Sequence, residues 1–518
     1  VFGWLKKQDS GKTVRSSNVR PARRSFNYEN ASGNAFYCGS DHSDLLYRYG
    51  YLVCITDQFS QSSLWENLQQ VSWPSTEWQG LTIVTHPDTP LYLALRGNSK
   101  VCLIGHAFDP FDKVFDGQAL AEDLVGRLSN NAAFFDRLDN LSGKFVLLAN
   151  TGNGWTVYQD AFASKSVFYD QQVPGVIASH AQLLADATGD SVDLNVLAFL
   201  QSPAYQKRDV KYLPGLRTIY NNVFYCPGNH SLELASLRVS RHYPTRYVEE
   251  AADALLIDYL DGYSDYIAAK FDRELFGLTG GLDSRTLLAP LSAKNIPLTT
   301  FTLNRGDVNG GSPKDIALAK QLSDVVGADH HEILIDYGAL KPSYFKETMQ
   351  VLRQNTGFAR LNSPIANTQL FSRFREQYPD QKLSYSRGFG GEILRGFYQG
   401  KGDEITEVDP KQFAKAYGVM QGSPFVVDSF RHFIASSDFS SLDGVDINDV
   451  FYWEHRMSGW GALAVAETDI LACTFVGYNS RRLYNAFFNR PFAERAERFA
   501  FKKAILHFNP TLLDYDVE

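Results

Sequence analysis

The residues with the clearest chemical content are Phe276-Gly-Leu-Thr-Gly-Gly-Leu-Asp-Ser-Arg285. A buried apolar run ends at Leu278, residues Thr279, Gly280, Gly281, Leu282, Asp283 and Ser284 form a tight turn, and a helical pattern begins at about Ser284. Two adjacent glycines let the backbone curl until successive N–H groups point at one spot. The helix N-terminus aims its orphan N–H groups and its dipole at the same spot. The hydroxyls of Thr279 and Ser284 add donors. That is an anion cradle, and phosphate is its natural guest.

Asp283 then needs a reason. A carboxylate beside phosphate repels it unless a cation lies between them, and Mg²⁺ favours one or two carboxylates plus phosphate oxygens. No G-K-[ST] comes after the glycines, so this is not a Walker-type loop. Without that lysine, Mg²⁺ and nearby cations must neutralise the charge, with Arg285 as one candidate.

The elements around the motif alternate. Strand patterns at Leu275–Leu278, Leu298–Leu303 and Glu332–Ile335 are separated by helical patterns at Ser284–Ala293 and Ile316–Val326. That order predicts a doubly wound parallel sheet. Val248, Ala252, Leu255, Leu256, Tyr259, Tyr263, Tyr266 and Ile267 predict a helix before it. Residues 340–518 read as mostly helical and rich in aromatics. Upstream, from about 35 to 235, short strands predominate: Tyr51–Thr56, Leu81–Thr85, Val101–Ile104, Lys144–Ala149 and Trp155–Tyr158, with one helix at Gln118–Leu128. This half reads as α+β with antiparallel sheet. His242-Tyr-Pro-Thr marks the break, so the expected domains are 1–240 and 241–518.

Composition narrows the classes further. With 518 residues, 44% hydrophobic and 21% charged, the chain has material for sizeable cores. A net charge of −8 argues against a general nucleic-acid binder. Residues 1–24 are locally basic, which reads as a solvated arm. No apolar run approaches the roughly 18 residues of a membrane span. Five dispersed cysteines (Cys38, Cys54, Cys102, Cys226, Cys473) without C-x-x-C fit free thiols in a reducing cytoplasm.

Thr279–Ser284 resembles the S-G-G-x-D-S pyrophosphate loop of the PP-loop ATP pyrophosphatases, and more narrowly that of the asparagine synthetase-like superfamily. Thr300-Phe-Thr-Leu303 resembles the family's second strand, whose end contacts adenine. Asp315–Gly327 resembles the helix after it, and Asp329-His-His-Glu332 the entry to the third strand. Arg387-Gly-Phe-Gly-Gly-Glu-Ile-Leu-Arg-Gly396 resembles the G-x-G-S-D-[EI]-x-x-G-G loop. There the family's metal-binding Asp aligns with Glu392. A small ATP-contacting residue aligns with Arg387. Phe389 stands where β-lactam-forming relatives have a Tyr that helps deprotonate the attacking nitrogen, which a Phe cannot do.

The upstream half resembles the family's glutaminase domain, an Ntn-hydrolase-like sandwich, through Leu138…Leu141-Ser-Gly-Lys-Phe145…Asp160…Phe168-Tyr169 and Ala178-Ser-His-Ala-Gln-Leu183. In that family the nucleophile is an N-terminal cysteine, and Val1-Phe-Gly-Trp4 reads as the end of such a start, with an initiator Met and more preceding it. The R-G-P-D and N-G-E motifs that bind glutamine are not found, and Gly105-His-Ala107 stands in place of the second. The resemblance therefore implies an inactive glutaminase domain, as in β-lactam synthetases and lasso-peptide cyclases.

For the whole chain the resemblance implies an AMP-forming amide synthetase. ATP is expected on Leu278, Thr279, Gly280, Gly281, Asp283, Ser284, Leu303, Arg387 and Gly388, with Mg²⁺ on Asp283 and Glu392. Lys503, in a stretch resembling the family's K-x-x-L-R, is the third expected catalytic residue beside Asp283 and Glu392; the family carries a further lysine where this chain stops, at Glu518. The partners are a small-molecule or peptide carboxylate and an amine, with a homodimer left open. Glu454, Arg456 and Glu467 are candidates for the acceptor side, and Asp329 or His330 for the adenine side. His330-His331-Glu332 points to opposite strand faces rather than to one metal. Two alternatives remain open: a decayed nucleotide-binding scaffold, or a PP-loop enzyme adenylating RNA or a sulfur carrier.

Overall fold

The computed structural model describes residues 43–55, 63–208, 210–244, 250–304, 313–335, 342–359, 364–400, 404–439, 442 and 444–515. The basic arm 1–24, Cys38 and Val248 lie outside them. The four other cysteines are buried.

Among the described residues twelve strands precede residue 242: β1 (Tyr51–Ile55), β2 (Ser75–Trp78), β3 (Leu81–Thr85), β4 (Leu91–Arg96), β5 (Ser99–Phe108), β6 (Ser142–Asn150), β7 (Thr156–Gln159), β8 (Phe168–Asp170), β9 (Val173–Ala178), β10 (Val223–Tyr225), β11 (His230–Glu233) and β12 (Val239–Arg241). They form two six-stranded antiparallel sheets, in the orders β10-β8-β9-β1-β3-β2 and β12-β11-β7-β6-β5-β4. The alternation of side chains decides the layering. Cys102, Ile104, Val146 and Leu148 face inward to the first sheet's Val53, Ile83 and Ile177, the face on which Trp78 packs against Trp155. Their neighbours Val101, Leu103, Phe145 and Leu147 face outward, where Leu120, Leu124 and Leu138 of the helices Gly117–Arg127 and Asn131–Asn140 cover them. Asp116 and Asn130 cap those helices, each accepting from backbone N–H groups of the first turn.

Beyond β12 the pairing changes from antiparallel to parallel. The helix Ala252–Lys270 buries Leu256, Tyr259, Tyr263 and Ile267 along one stripe. Strands β13 (Arg273–Gly277), β14 (Leu298–Asn304), β15 (Asp329–Leu334), β16 (Leu383–Arg387) and β17 (Cys473–Val476) then form an all-parallel sheet in the order β15-β14-β13-β16-β17. Helices Leu282–Ser292 and Pro313–Val325 make the first two crossovers, and helices dominate from Pro342 onward. Two strands that the sequence pattern leaves inside a helical region, β16 and β17, complete the sheet. β15 also begins earlier than expected and takes in Asp329, His330 and His331.

The two halves share an interface of buried polar bonds. Asp160 Oδ1 accepts from the backbone N–H groups of Phe162 and Ser164 and from Asn479 Nδ2. Arg481, 1% exposed, donates to Asn229 Oδ1 and to the Gln159 carbonyl. No helix among the described residues is long and apolar enough to cross a membrane.

Candidate functional site

In an open parallel sheet, ligands gather beyond the carboxyl ends of the strands where the order reverses. Here the chain leaves β13 for β14 on one side, and β16 lies on the other. The loop 278–281 leaves β13 and the loop 388–390 leaves β16, so both open into the same crevice.

The helix Leu282–Ser292 starts in that crevice with Gly281 as its N-cap, and no side chain caps it. Its first-turn N–H groups are therefore offered to a ligand. The hydroxyls are used differently from the sequence expectation. Ser284 Oγ lies 2.9 Å from the carbonyl oxygens of both Thr279 and Gly281, and 3.0 Å from Thr279 Oγ1. Its one proton goes to a carbonyl, so Ser284 shapes the loop and the backbone supplies the donors. Thr302 Oγ1 donates to the Leu278 carbonyl at 2.8 Å and ties the loop to β14.

Asp283 and Glu392 come together across the crevice. Gly391 gives Asp283 room: a Cβ there would lie 3.2 Å from the Asp283 carboxyl carbon. Glu392 sits next to it on a single turn of helix, Gly391–Leu394, entered through Gly390 at φ +91°. Burial raises the Glu392 pKa, the charge on Asp283 raises it further, and Arg395 and Arg456 draw it back. Asp283 Oδ1 and Glu392 Oε2 are shut from solvent without a hydrogen-bond partner, while Asp283 Oδ2 pairs with Arg395 at 2.9 Å. Two adjacent carboxylates with orphaned oxygens fit a bound divalent cation, since hard cations take carboxylate oxygens. Mg²⁺ bound there would neutralise phosphate charge. Arg395 and Tyr478, whose hydroxyl donates to the Asp283 carbonyl at 2.8 Å, went unread in the sequence. Arg395 could have been found three residues after Glu392, on the same helical turn.

Three expected residues stand differently. Arg285 does not face the cradle. It is fully buried and donates to the carbonyls of Gly280, Leu512 and Tyr515, tying the loop to the C-terminal segment. Lys503 points outward to an ion pair with Asp253 on another helix, so the structure does not bring it to Asp283. Glu454 is spent on Arg241 and Asn229. Gly388 borders the Asp283 backbone: a Cβ there would meet its carbonyl oxygen at 3.8 Å. Arg387 Nη1 donates to the Ala464 carbonyl, and its guanidinium lies 4.1 Å over Phe389. Leu303 is half-buried near the end of β14, opposite Ile333.

His330 and His331 go separate ways. His330 Nδ1 lies 2.8 Å from Thr300 Oγ1, while His331 pairs with Asp329 and takes a bond from Arg373. Among the described residues no group of three or more His, Cys, Asp or Glu is arranged to hold a metal. A wider cleft of about 690 Å³ opens at the opposite ends of β13 and β16, beside Phe271 and Leu383. It is lined by the buried His86 and the half-buried His106, both held neutral by loss of solvation.

Residues 275–377 match the model of the asparagine synthase family. They take in the end of β13, the Thr279–Ser284 loop and the two strands after it. Among curated proteins no relative matches. Among solved structures, the NMN synthetase from Francisella tularensis is 17% identical and covers 40% of this chain and 92% of its own, with a TM-score of 0.21. The NH3-dependent NAD synthetase from Campylobacter jejuni is 13% identical and covers 40% and 91%, also at 0.21. The glutamine phosphoribosylpyrophosphate amidotransferase from B. subtilis is 10% identical and covers 60% and 88%, at 0.24.

Proposed function

We propose that this chain is an ATP-dependent ligase that activates a carboxylate as its adenylate and passes the acyl group to an amine. The observation that carries this reading is the pair of orphaned oxygens, Asp283 Oδ1 and Glu392 Oε2, beside an uncapped helix N-terminus. An acidic pair suits a metal-bound polyphosphate, and the uncapped turn suits its leaving end. The family match over 275–377 supports the same assignment.

The chemistry divides among several residues. A carboxylate oxygen of the acid attacks the α-phosphorus of ATP, and the bond to the β-phosphate oxygen breaks. The N–H groups of the Gly280–Ser284 turn receive the pyrophosphate as its charge develops. Asp283 and Glu392 would hold Mg²⁺, which would neutralise phosphate charge, and Arg395 keeps Asp283 oriented. The amine nitrogen then attacks the acyl carbon, AMP leaves with the bonding pair, and the surplus proton passes to solvent. A carboxylate is a poor acyl donor and its adenylate a good one, which is the reason for the first step.

The upstream half serves in this reading as a glutaminase-like scaffold without its own ammonia supply. His106, in place of the amide-binding motif, has Nδ1 3.0 Å from the Tyr266 hydroxyl and packs on Phe271 and Phe475. The amine is then free ammonia or an amine on a substrate. The deciding experiment is acid-dependent exchange of labelled pyrophosphate into ATP, with AMP as product. ADP in place of AMP, or full turnover by Asp283→Ala, would exclude the mechanism. ATP binding without exchange for any acid would leave a nucleotide-binding scaffold.

A further inference from the structure

The cleft at the opposite ends of β13 and β16 takes no part in the nucleotide crevice, and its side chains have a chemistry of their own. Its volume of about 690 Å³ falls within the roughly 300–1,000 Å³ typical of small-molecule sites. Both halves of the chain build it. Arg48 and Tyr92 come from the upstream half, Lys270 and Phe271 from the end of the helix Ala252–Lys270, and Arg375 from the helix Pro364–Gln377.

Charge decides what this cleft could admit. Arg48 is 6% exposed. Its Nε pairs with Asp88 and its Nη1 donates to the Ile470 carbonyl, both at 3.1 Å, and Nη2 is left without a bond. Arg375 is half-buried and, among the described residues, makes neither an ion pair nor a side-chain hydrogen bond. Burial lowers its pKa and Arg48 lowers it further, so the two guanidiniums lie close enough to repel. An anion between them would relieve that repulsion. Lys270 and Lys382 add two exposed ammonium groups. Of the acids that line the cleft, Asp88 is committed to Arg48, while Asp44 and Asp380 are exposed. His106 registers the balance. Burial lowers its pKa most, Lys165, Lys144 and Lys270 lower it further, and Asp88 opposes them. This wall is therefore positive in a chain whose net charge is −8.

Tyr92, Phe115 and Phe271 line the same space and are each half-buried, so ring surface remains open to a guest. Aromatic faces beside guanidiniums suit a flat apolar body with an oxyanion attached. Ring packs on ring, and forked N–H donors meet carboxylate or phosphate oxygens.

We propose that this cleft is a second ligand site, which takes an aromatic oxyanion: the carboxylate or phosphate lies between Arg48 and Arg375, and the ring lies on the side formed by Tyr92, Phe115 and Phe271. The inference does not depend on the ligase reading. Because the site is built from both halves, its occupant binds only the folded chain and stabilises it.

Calorimetry on the full chain tests it, with indole-3-acetate, phenyl phosphate, tryptamine and glutamine as probes. At least one of the two anions should bind in the sub-millimolar range. It should bind ten-fold or more tightly than tryptamine, which has the ring and the opposite charge, and than glutamine, which has no ring. Either anion alone supports the proposal and identifies the head group. Arg375→Met should weaken that binding at least ten-fold and Lys382→Met several-fold, with ATP affinity unchanged in both. Arg375 has no bond to lose and Lys382 is exposed, so both variants fold. The anion should raise the melting temperature of the parent protein more than that of Arg375→Met. Tryptamine or glutamine binding as tightly as the anions, no anion binding in the millimolar range, unchanged affinity in Arg375→Met, or displacement of the anion by ATP would each overturn the proposal.

Discussion

Arg395 Nη2 lies 2.9 Å from Asp283 Oδ2, while the other oxygen of that carboxylate is buried with no partner. One guanidinium thus occupies half of a carboxylate whose second half faces Glu392. It limits the repulsion between the two acids and competes with a cation for them. Removing Arg395 takes the trio from one net negative charge to two. Arg395→Ala should therefore lower the Mg²⁺ concentration for half-maximal ATP binding, whereas Asp283→Asn and Glu392→Gln should raise it. Asp283→Asn should also cut pyrophosphate exchange by roughly 100-fold, the scale for losing one electrostatic group at a reacting centre. Magnesium titrations of the four proteins check the opposite signs.

Glu274 predicts a pH dependence of stability. It is fully buried in β13, accepting from Ser384 Oγ and, at 2.6 Å, from the Ser386 N–H. Burial pushes its pKa up to about 7. The folded state therefore holds a proton that the unfolded chain releases at ordinary carboxylate pH. The contribution is fully present below the unfolded pKa and is lost as pH rises through about 7. Across that window it amounts to something on the order of 3 kcal/mol. Glu274→Gln, which keeps the shape and has no proton to lose, should flatten that slope. Melting temperatures of both proteins from pH 5 to 8 test this: parallel curves would mean that Glu274 titrates normally.

Arg285 predicts a coupling between the loop and the C-terminal segment. Its donors satisfy the carbonyls of Gly280, Leu512 and Tyr515. Hydrogen bonds to a charged group contribute about 1.5–3 kcal/mol each, and orphaned buried carbonyls cost more. Arg285→Ala should destabilise the protein by about 3 kcal/mol or more. Arg285→Lys should recover only part of this, because one ammonium cannot span three carbonyls fixed around a planar fork. Proteolysis should show the segment after Phe508 cut first in both variants.

The sequence made the parallel sheet legible where its strands were apolar and its turns carried glycine. β13 and β14 stood out for that reason. β16 did not, because Leu383-Ser-Tyr-Ser-Arg387 alternates polar residues that look solvated and are buried. Ser384 and Ser386 are inside because Glu274, equally buried and 110 residues upstream of Ser384, bonds to them. No local pattern reveals such a partner. The same holds at the site. Asp283 and Glu392 were readable from loop chemistry and resemblance. The outward turn of Lys503 and the inward turn of Arg285 depend on Asp253 and on the C-terminal carbonyls, contacts that spacing along the chain does not encode.

The glycines of the two loops separate folding from binding. Gly390 has φ +91°, and a Cβ there would lie 2.2 Å from the Tyr478 carbonyl oxygen. Left-handed backbone costs a non-glycine residue about 1–2 kcal/mol, and a backbone oxygen cannot step aside. Gly390→Ala should lower the melting temperature and exchange together. Gly281 is the reverse case. Its φ of −74° suits any residue, and a Cβ would meet nothing nearer than Thr279 Oγ1 at 3.6 Å. Gly281→Ala should melt like the parent protein. Yet its methyl group would stand at the mouth of the uncapped helix, where the ligase reading puts pyrophosphate. ATP affinity should then fall about ten-fold, or 1.4 kcal/mol, with stability unchanged. Calorimetric ATP titration beside a thermal melt decides it. Unaltered ATP affinity in Gly281→Ala would mean that the phosphates lie elsewhere.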